Sequence, residues 1–258
     1  MLGSRLSYLF TFHSFSVATM DGLESAAISI LKRAVDLDAK HRWTESMTCY
    51  QEGLQLLMEV IKGLPESPRR LAFRTKATEY MDRAEKLKAL IESEKKLGKY
   101  HEQVHIEDNS TGHSYESVLG RFLDGRVRSV EVEDPYIRSV HQCYNLLRLC
   151  ELCVKKCPNL QFIRLLTGSD PGDEHAQKAR LTEICTSMAD FGVKLIVNYS
   201  DTLHDREIRL DSGWIIKIGR GLSYFKPPAG KFCLGFNDFD LRPCHETTVD
   251  IFHESASK

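Results

Sequence analysis

Apolar positions between residues 23 and 95 recur with helical spacing in three separate runs. Ile28, Leu31 and Val35 fall at i, i+3 and i+7, with Ala27 and Ala34 widening the stripe, which predicts a first helix from Leu23. The second run is stronger. Trp43, Met47, Tyr50, Leu54, Leu57 and Ile61 advance by four and three alternately and stop at Gly63, a residue suited to a left-handed cap. Pro65 then breaks the chain, Ser67 is placed to cap a third helix, and Pro68 to open it where a missing N–H costs nothing. Phe73, Ala77, Tyr80, Ala84, Leu87 and Ile91 line that third helix. Three amphipathic helices with short connections predict an all-α antiparallel three-helix bundle over residues 21–97.

After Ile91 the periodicity fades, and residues 98–110, polar and charged, are predicted to be a linker. Residues 111–258 then read as a second, α/β domain. A helical segment "SYESVLGRFLD" precedes the alternation Val130-Glu131-Val132-Glu133, a half-buried strand ending at Pro135. A helix over 136–156, the strand "QFIRLLTG", a helix over 173–190 stopped by Gly192, and the strand "VKLIVNYS" follow. Strand and helix in alternation predict parallel pairing. "REIRL" turning at Asp211-Ser212-Gly213 into "WIIKIG", and a last strand in "ETTVDIFH", add an antiparallel component, so the sheet is expected to be mixed.

Composition allows two cores: 258 residues, 42% hydrophobic and 28% charged. A net charge of −1 excludes whole-chain attraction to nucleic acid or an anionic membrane, so any such binding needs a local patch. Eight cysteines without framework spacing point to a reducing setting. Cys150, Cys153 and Cys157 share a helix face with Leu146 and lack a fourth ligand, which predicts core packing and no metal. Residues 1–20 are too short and polar for a membrane span and are expected to be a disordered or alternative-start extension.

Two features carry candidate chemistry. Met81 stands one position off the third helix's stripe beside Glu85, and Leu56 and Val60 lie on a flank the second helix's stripe leaves unused. Apolar flanks on neighbouring helices, edged by acid, suit a groove for a basic amphipathic helix. "KATEYMDRAEKLKALIESEK", with "LKRAVDLDAKHRWTESMTCYQEGLQLL" before it, resembles MIT domains over about residues 23–96. The resemblance implies binding of C-terminal helical tails of ESCRT-III subunits between helices two and three, with Met81 as the apolar contact and Asp82 and Glu85 facing basic side chains.

The second feature is His204, Arg206 and Asp211, an H-x-R-x4-D arrangement one lysine short of the signature of phosphodiesterases that attack phosphate with histidine. On extended backbone His204 and Arg206 leave on one side, with Asp211 returning to support them. Such chemistry needs a nucleophilic histidine, a cation on the phosphoryl oxygens and a second histidine as acid. His245 and His253 lack the motif context, so a complete site requires two copies of the chain. Arginine also fits poorly a narrow site shaped around an ammonium. Arg206, Arg209, Lys217, Arg220 and Lys226 make the segment locally basic, and Trp214, Tyr224 and Phe225 are aromatics of the kind that settle at membrane interfaces.

"EDPYIR", "HDREIR", "GWIIKIGRGLSYFK" and "DFDLRPCHETTVDIFH", following an MIT domain, resemble proteins that join an MIT domain to a phospholipase-D-like domain. That resemblance implies a non-enzymatic, cofactor-free adaptor in abscission at cytokinesis. It implies a homodimer whose Arg206, Arg209, Lys217, Arg220 and Lys226 bind acidic phospholipid, on endosomal membrane and at the midbody of the cytoplasm. No nucleic acid partner is expected.

Overall fold

A computed structural model describes residues 6–254, with side chains from residue 21 onward. The chain divides into two compact units, at Glu94 and Lys95. The first holds helices α1 (Leu6–Ala39), α2 (Trp43–Gly63) and α3 (Pro68–Lys96). Residues 6–20 are helical backbone, which departs from the disordered form of the expected disordered or alternative-start extension; no glycine or proline interrupts the segment, so the helix begins well before Leu23. Residues 1–5 of that extension lie outside the described residues.

The stripe of α1 is rotated from the expected one. Ala27, Leu31, Ala34 and Leu37 are buried, whereas Ile28 and Val35 are exposed. Small alanines, and Gly53 on α2, let α1 and α2 approach closely: a Cβ on Gly53 would stand 2.7 Å from Leu31 Cγ. Arg83 reaches back from α3 to Asp38 on α1 at 2.6 Å, and Tyr80 meets Tyr50 of α2 at 6.1 Å between ring centroids. Ser67 Oγ accepts from Arg70 N ahead of Pro68, as its position predicts. Gly63 does not cap α2 in the left-handed region; the helix ends because Leu64 turns extended ahead of Pro65.

The second unit is a mixed seven-stranded sheet, β1 (His101–Ile106), β2 (Ser129–Glu133), β3 (Phe162–Thr167), β4 (Lys194–Tyr199), β5 (Glu207–Leu210), β6 (Trp214–Ile218) and β7 (Thr247–His253), in the order β1-β7-β6-β5-β2-β3-β4. It carries helices α4 (Tyr115–Leu119), α5 (Val140–Lys156) and α6 (Glu174–Asp190). β2, β3 and β4 are parallel; the other pairings are antiparallel. Because β2, β3 and β4 step in one direction, right-handed crossovers place α5 and α6 on the same face, and α5 meets both α4 and α6. Val130, Val132, Ile163, Leu165, Ile208, Ile216, Val249 and Ile251 are buried on the face those helices cover. Cys150 and Cys153 on α5, and Cys157 just past its end, fill the core, where burial pushes the Cys150 thiol up to about 12 and Cys157 up to about 11. Gly192, at φ +73, ends α6 and Gly213, at φ +94, makes the β5–β6 turn, both as their places in the sequence predict.

The predicted linker over 98–110 is overturned. Residues 101–106 form β1, paired in register with β7 from His101↔Phe252 to Ile106↔Thr247. Their alternation was masked because the inward set includes Glu102, a buried carboxylate held by Arg121 at 2.8 Å and the Tyr100 hydroxyl at 2.7 Å.

Candidate functional site

In the helical unit, Met81 is 39% exposed on α3, with Asp82 and Glu85 exposed beside it. Leu56 is half-buried on α2. Val60 does not join that flank, being 1% exposed and part of the core. Arg83, between the two acidic positions, is committed to Asp38, so the run "DRAE" divides into one structural cation and two solvent-facing carboxylates. An apolar side chain this exposed, edged by free acid, is chemically suited to a basic amphipathic helix.

In the sheet unit, the H-x-R-x4-D residues are not assembled. His204 is exposed in the turn after β4. Arg206 donates to Gly219 O at 2.8 Å and lies 4.4 Å over the Tyr136 ring. Asp211 sits beyond the opposite end of β5, where its carboxylate accepts from Arg128 N at 3.1 Å and 3.2 Å; it supports the strand start and not the histidine. The cavity beside Arg206, lined with Asp134, Gly221 and Leu222, is about 10 Å3, room for a single water at most. Asp134 closes it. Buried at the end of β2, it accepts from Leu222 N at 2.9 Å and Tyr136 N at 3.0 Å, and its burial raises its pKa. Gly221, at φ +57, admits this approach because it has no Cβ.

The five basic residues do not form one free patch. Arg209 and Lys217 converge from neighbouring strands on Glu207, at 2.5 Å and 3.1 Å, and Arg209 also meets Glu254 at 3.1 Å. Burial pushes the Glu207 carboxyl up, but the hydrogen bonds from Arg209 and Lys217 outweigh it and hold its pKa low. Lys226 is paired with Asp108 at 2.7 Å, and Arg220 donates to Glu246 O at 3.0 Å. Trp214 and Tyr224, 5% and 0% exposed, are core residues and not an aromatic belt. Trp214 packs edge-on against Tyr100 and His253, which accounts for that histidine.

Sequence reasoning missed a second cavity, of about 490 Å3, between α5 and the residue 226–243 loop. Arg148, Lys226, Arg242 and His245 line it with Phe225 and Phe239, and no carboxylate is among its lining residues. The available signal was the basic and aromatic density of "SYFKPP" and "FDLRPCH", but Arg148 comes from a distant helix.

Comparison with known proteins covers both units. A family model described as "MIT (microtubule interacting and transport) domain" matches residues 24–89, and one described as "Phospholipase D-like domain at C-terminus of MIT" matches residues 112–253. The Mus musculus protein "MIT domain-containing protein 1" is 52% identical over 239 residues, 92% of this chain and 96% of the mouse protein. Strand β1 belongs to the sheet although the second match starts after it.

Proposed function

The chain belongs to the family that joins an MIT domain to a C-terminal phospholipase-D-like domain, and from that premise we propose a non-enzymatic adaptor that links ESCRT-III to membrane. Its MIT bundle binds C-terminal helical tails of ESCRT-III subunits, and its phospholipase-D-like domain, as a homodimer, engages acidic phospholipid. Pairing two copies raises the effective concentration at both ends without new contacts. The setting is the cytoplasmic face of endosomal membrane and the midbody during abscission. Among the described residues no helix is long and apolar enough to cross a membrane.

The observation that supports the non-enzymatic half is the dispersal of the motif: His204 is exposed, while Asp211 is held by Arg128 N beyond the other end of β5. Arg206, bonded to Gly219 O and stacked on Tyr136, is not disposed to receive a phosphoryl oxygen beside that histidine. Purified protein should therefore give no turnover of phosphatidylcholine or of a chromogenic phosphodiester above buffer, and His204→Ala should leave vesicle binding within a factor of two or so. Turnover that vanishes in His204→Ala protein would instead establish an enzyme.

For the MIT half, Met81→Asp should weaken binding of ESCRT-III tail peptides at least thirtyfold, measured by fluorescence anisotropy. A buried methionine contact is worth about 2 kcal/mol, and a carboxylate facing the apolar side of a docked helix adds a desolvation cost. The position is solvent-exposed in the free bundle, so the circular dichroism spectrum should match the parent. Unchanged peptide affinity would place the tail elsewhere on the bundle.

A further inference from the structure

The residue 226–243 loop leaves the domain through a narrow neck. Phe225 and Cys244 form an antiparallel bridge there, and Lys226 N donates to Pro243 O at 2.9 Å. Arg242, only 6% exposed, braces the interior: its guanidinium donates to the carbonyls of Gly235, Lys226 and Phe236. Gly235, at φ +80, makes the return turn. This bracing holds two large apolar side chains outward with nothing packed on them, Phe232 at 103% exposure and Leu234 at 89%. Lys231 stands beside them, also exposed.

Exposed apolar groups on a braced loop invite burial, and the adjoining chemistry says against what. The 490 Å3 cavity at the loop's base is lined by Arg148, Lys226, Arg242 and His245 and by no carboxylate. Arg148 stacks 4.1 Å over Phe239, and its one hydrogen bond is to Asn145 Oδ1 at 3.4 Å; it makes no ion pair among the described residues. Arg242 bonds only carbonyls, so its charge is likewise uncompensated. Two guanidiniums on one phenylalanine ring, both short of a carboxylate, form a field that an oxyanion neutralises. An apolar tip beside a cationic cavity is complementary to a surface that is apolar within and anionic at its rim.

We propose that the residue 226–243 loop is a membrane-insertion element, in which Phe232 and Leu234 enter an anionic bilayer while the cavity at its base takes a lipid phosphate headgroup on Arg148, Lys226 being held by Asp108. The inference rests on the membrane half of the adaptor reading and moves its contact from the β5–β6 hairpin, whose cations are spent on Glu207, to the loop.

The test is co-sedimentation of the full chain with phosphatidylcholine vesicles, with and without phosphatidylserine. Phe232→Ser combined with Leu234→Ser should weaken binding to the mixed vesicles roughly tenfold or more, since two apolar side chains lose their burial. Arg148→Gln should weaken it several-fold and flatten the dependence on phosphatidylserine. Lys217→Gln, which leaves Arg209 on Glu207, should bind as the parent does. Both loop positions are free of packing, so loss there is not misfolding. Parental binding by the loop variant together with loss in Lys217→Gln would return the contact to the hairpin and overturn this inference while the adaptor reading stands. A parent chain that sediments with neither vesicle would overturn the membrane half of that reading, and the loop's role with it.

Discussion

Gly221→Ala should be among the most damaging single-methyl changes in the phospholipase-D-like domain. The added Cβ would stand 2.8 Å from Asp134 Cγ and closer still to its Oδ2, at a φ of +57 that disfavours any side chain. Neither partner can yield cheaply. Asp134 is 2% exposed and holds two backbone N–H groups, from Leu222 and Tyr136, that have no water to replace it. Strain and clash together are worth about 3 kcal/mol or more, which lowers the thermal midpoint of this domain by roughly 6–12 °C. Differential scanning calorimetry of the full chain reads this out, and a variant that melts with the parent would show that the turn relaxes freely. Gly125→Ala is the matched control, since its Cβ would meet nothing closer than 3.7 Å.

Glu102→Ala should cost about 3–5 kcal/mol, the range for removing one partner of a buried ion pair. The Glu102 side chain is fully buried, the Arg121 side chain 9% exposed, and the two are 2.8 Å apart. Truncation takes the carboxylate from a largely buried guanidinium and removes an acceptor of the Tyr100 hydroxyl. Since Glu102 lies on β1 and Arg121 in the 3-10 turn after α4 (Gly120–Phe122), the loss should loosen that edge of the sheet first. Amide exchange in β1 is the discriminating readout. The exposed pair Asp124–Arg126 offers the contrast, and Asp124→Ala should cost no more than about 1 kcal/mol. Equal costs at the two sites would mean that burial does not set the worth of the Glu102 pair.

What was legible in the sequence follows from which forces shape each element. β2 and β3 alternate in burial because one face is covered by helices, and α2 is periodic because it buries one side; both leave a pattern that one chain segment carries by itself. β1 was hidden because its inward positions include a carboxylate whose partner is distant in sequence, so local polarity imitated a linker. The basic hairpin misled in the opposite sense. Arg209 and Lys217 are outward on their strands, as alternation requires, but Glu207 between them, buried against both, and Glu254 on Arg209 together offset the two charges that a residue count assigns to solvent. Phe232 and Leu234 carry the composition of core residues; only the braced backbone around Arg242 shows that they face water. The exposure of Met81 beside Asp82 and Glu85 was legible because a single helix's geometry sets it, whereas the second cavity needs α5 and a loop that meet only after folding.

The pairing of β1 with β7 has a consequence for how the chain is made. β7 lies between β1 and β6, so the sheet's early edge strand has no partner until the segment ending at His253 is available. The MIT bundle is assembled from contacts among consecutive helices and is free to form while translation continues. The sheet must wait. During that interval β1 and β6 each present an unsatisfied backbone edge, and the nascent domain depends on chaperone shielding or rapid completion to keep them from pairing with another chain. A ribosome stalled before Thr247 would therefore display a finished MIT bundle tethered to an unfinished and association-prone sheet.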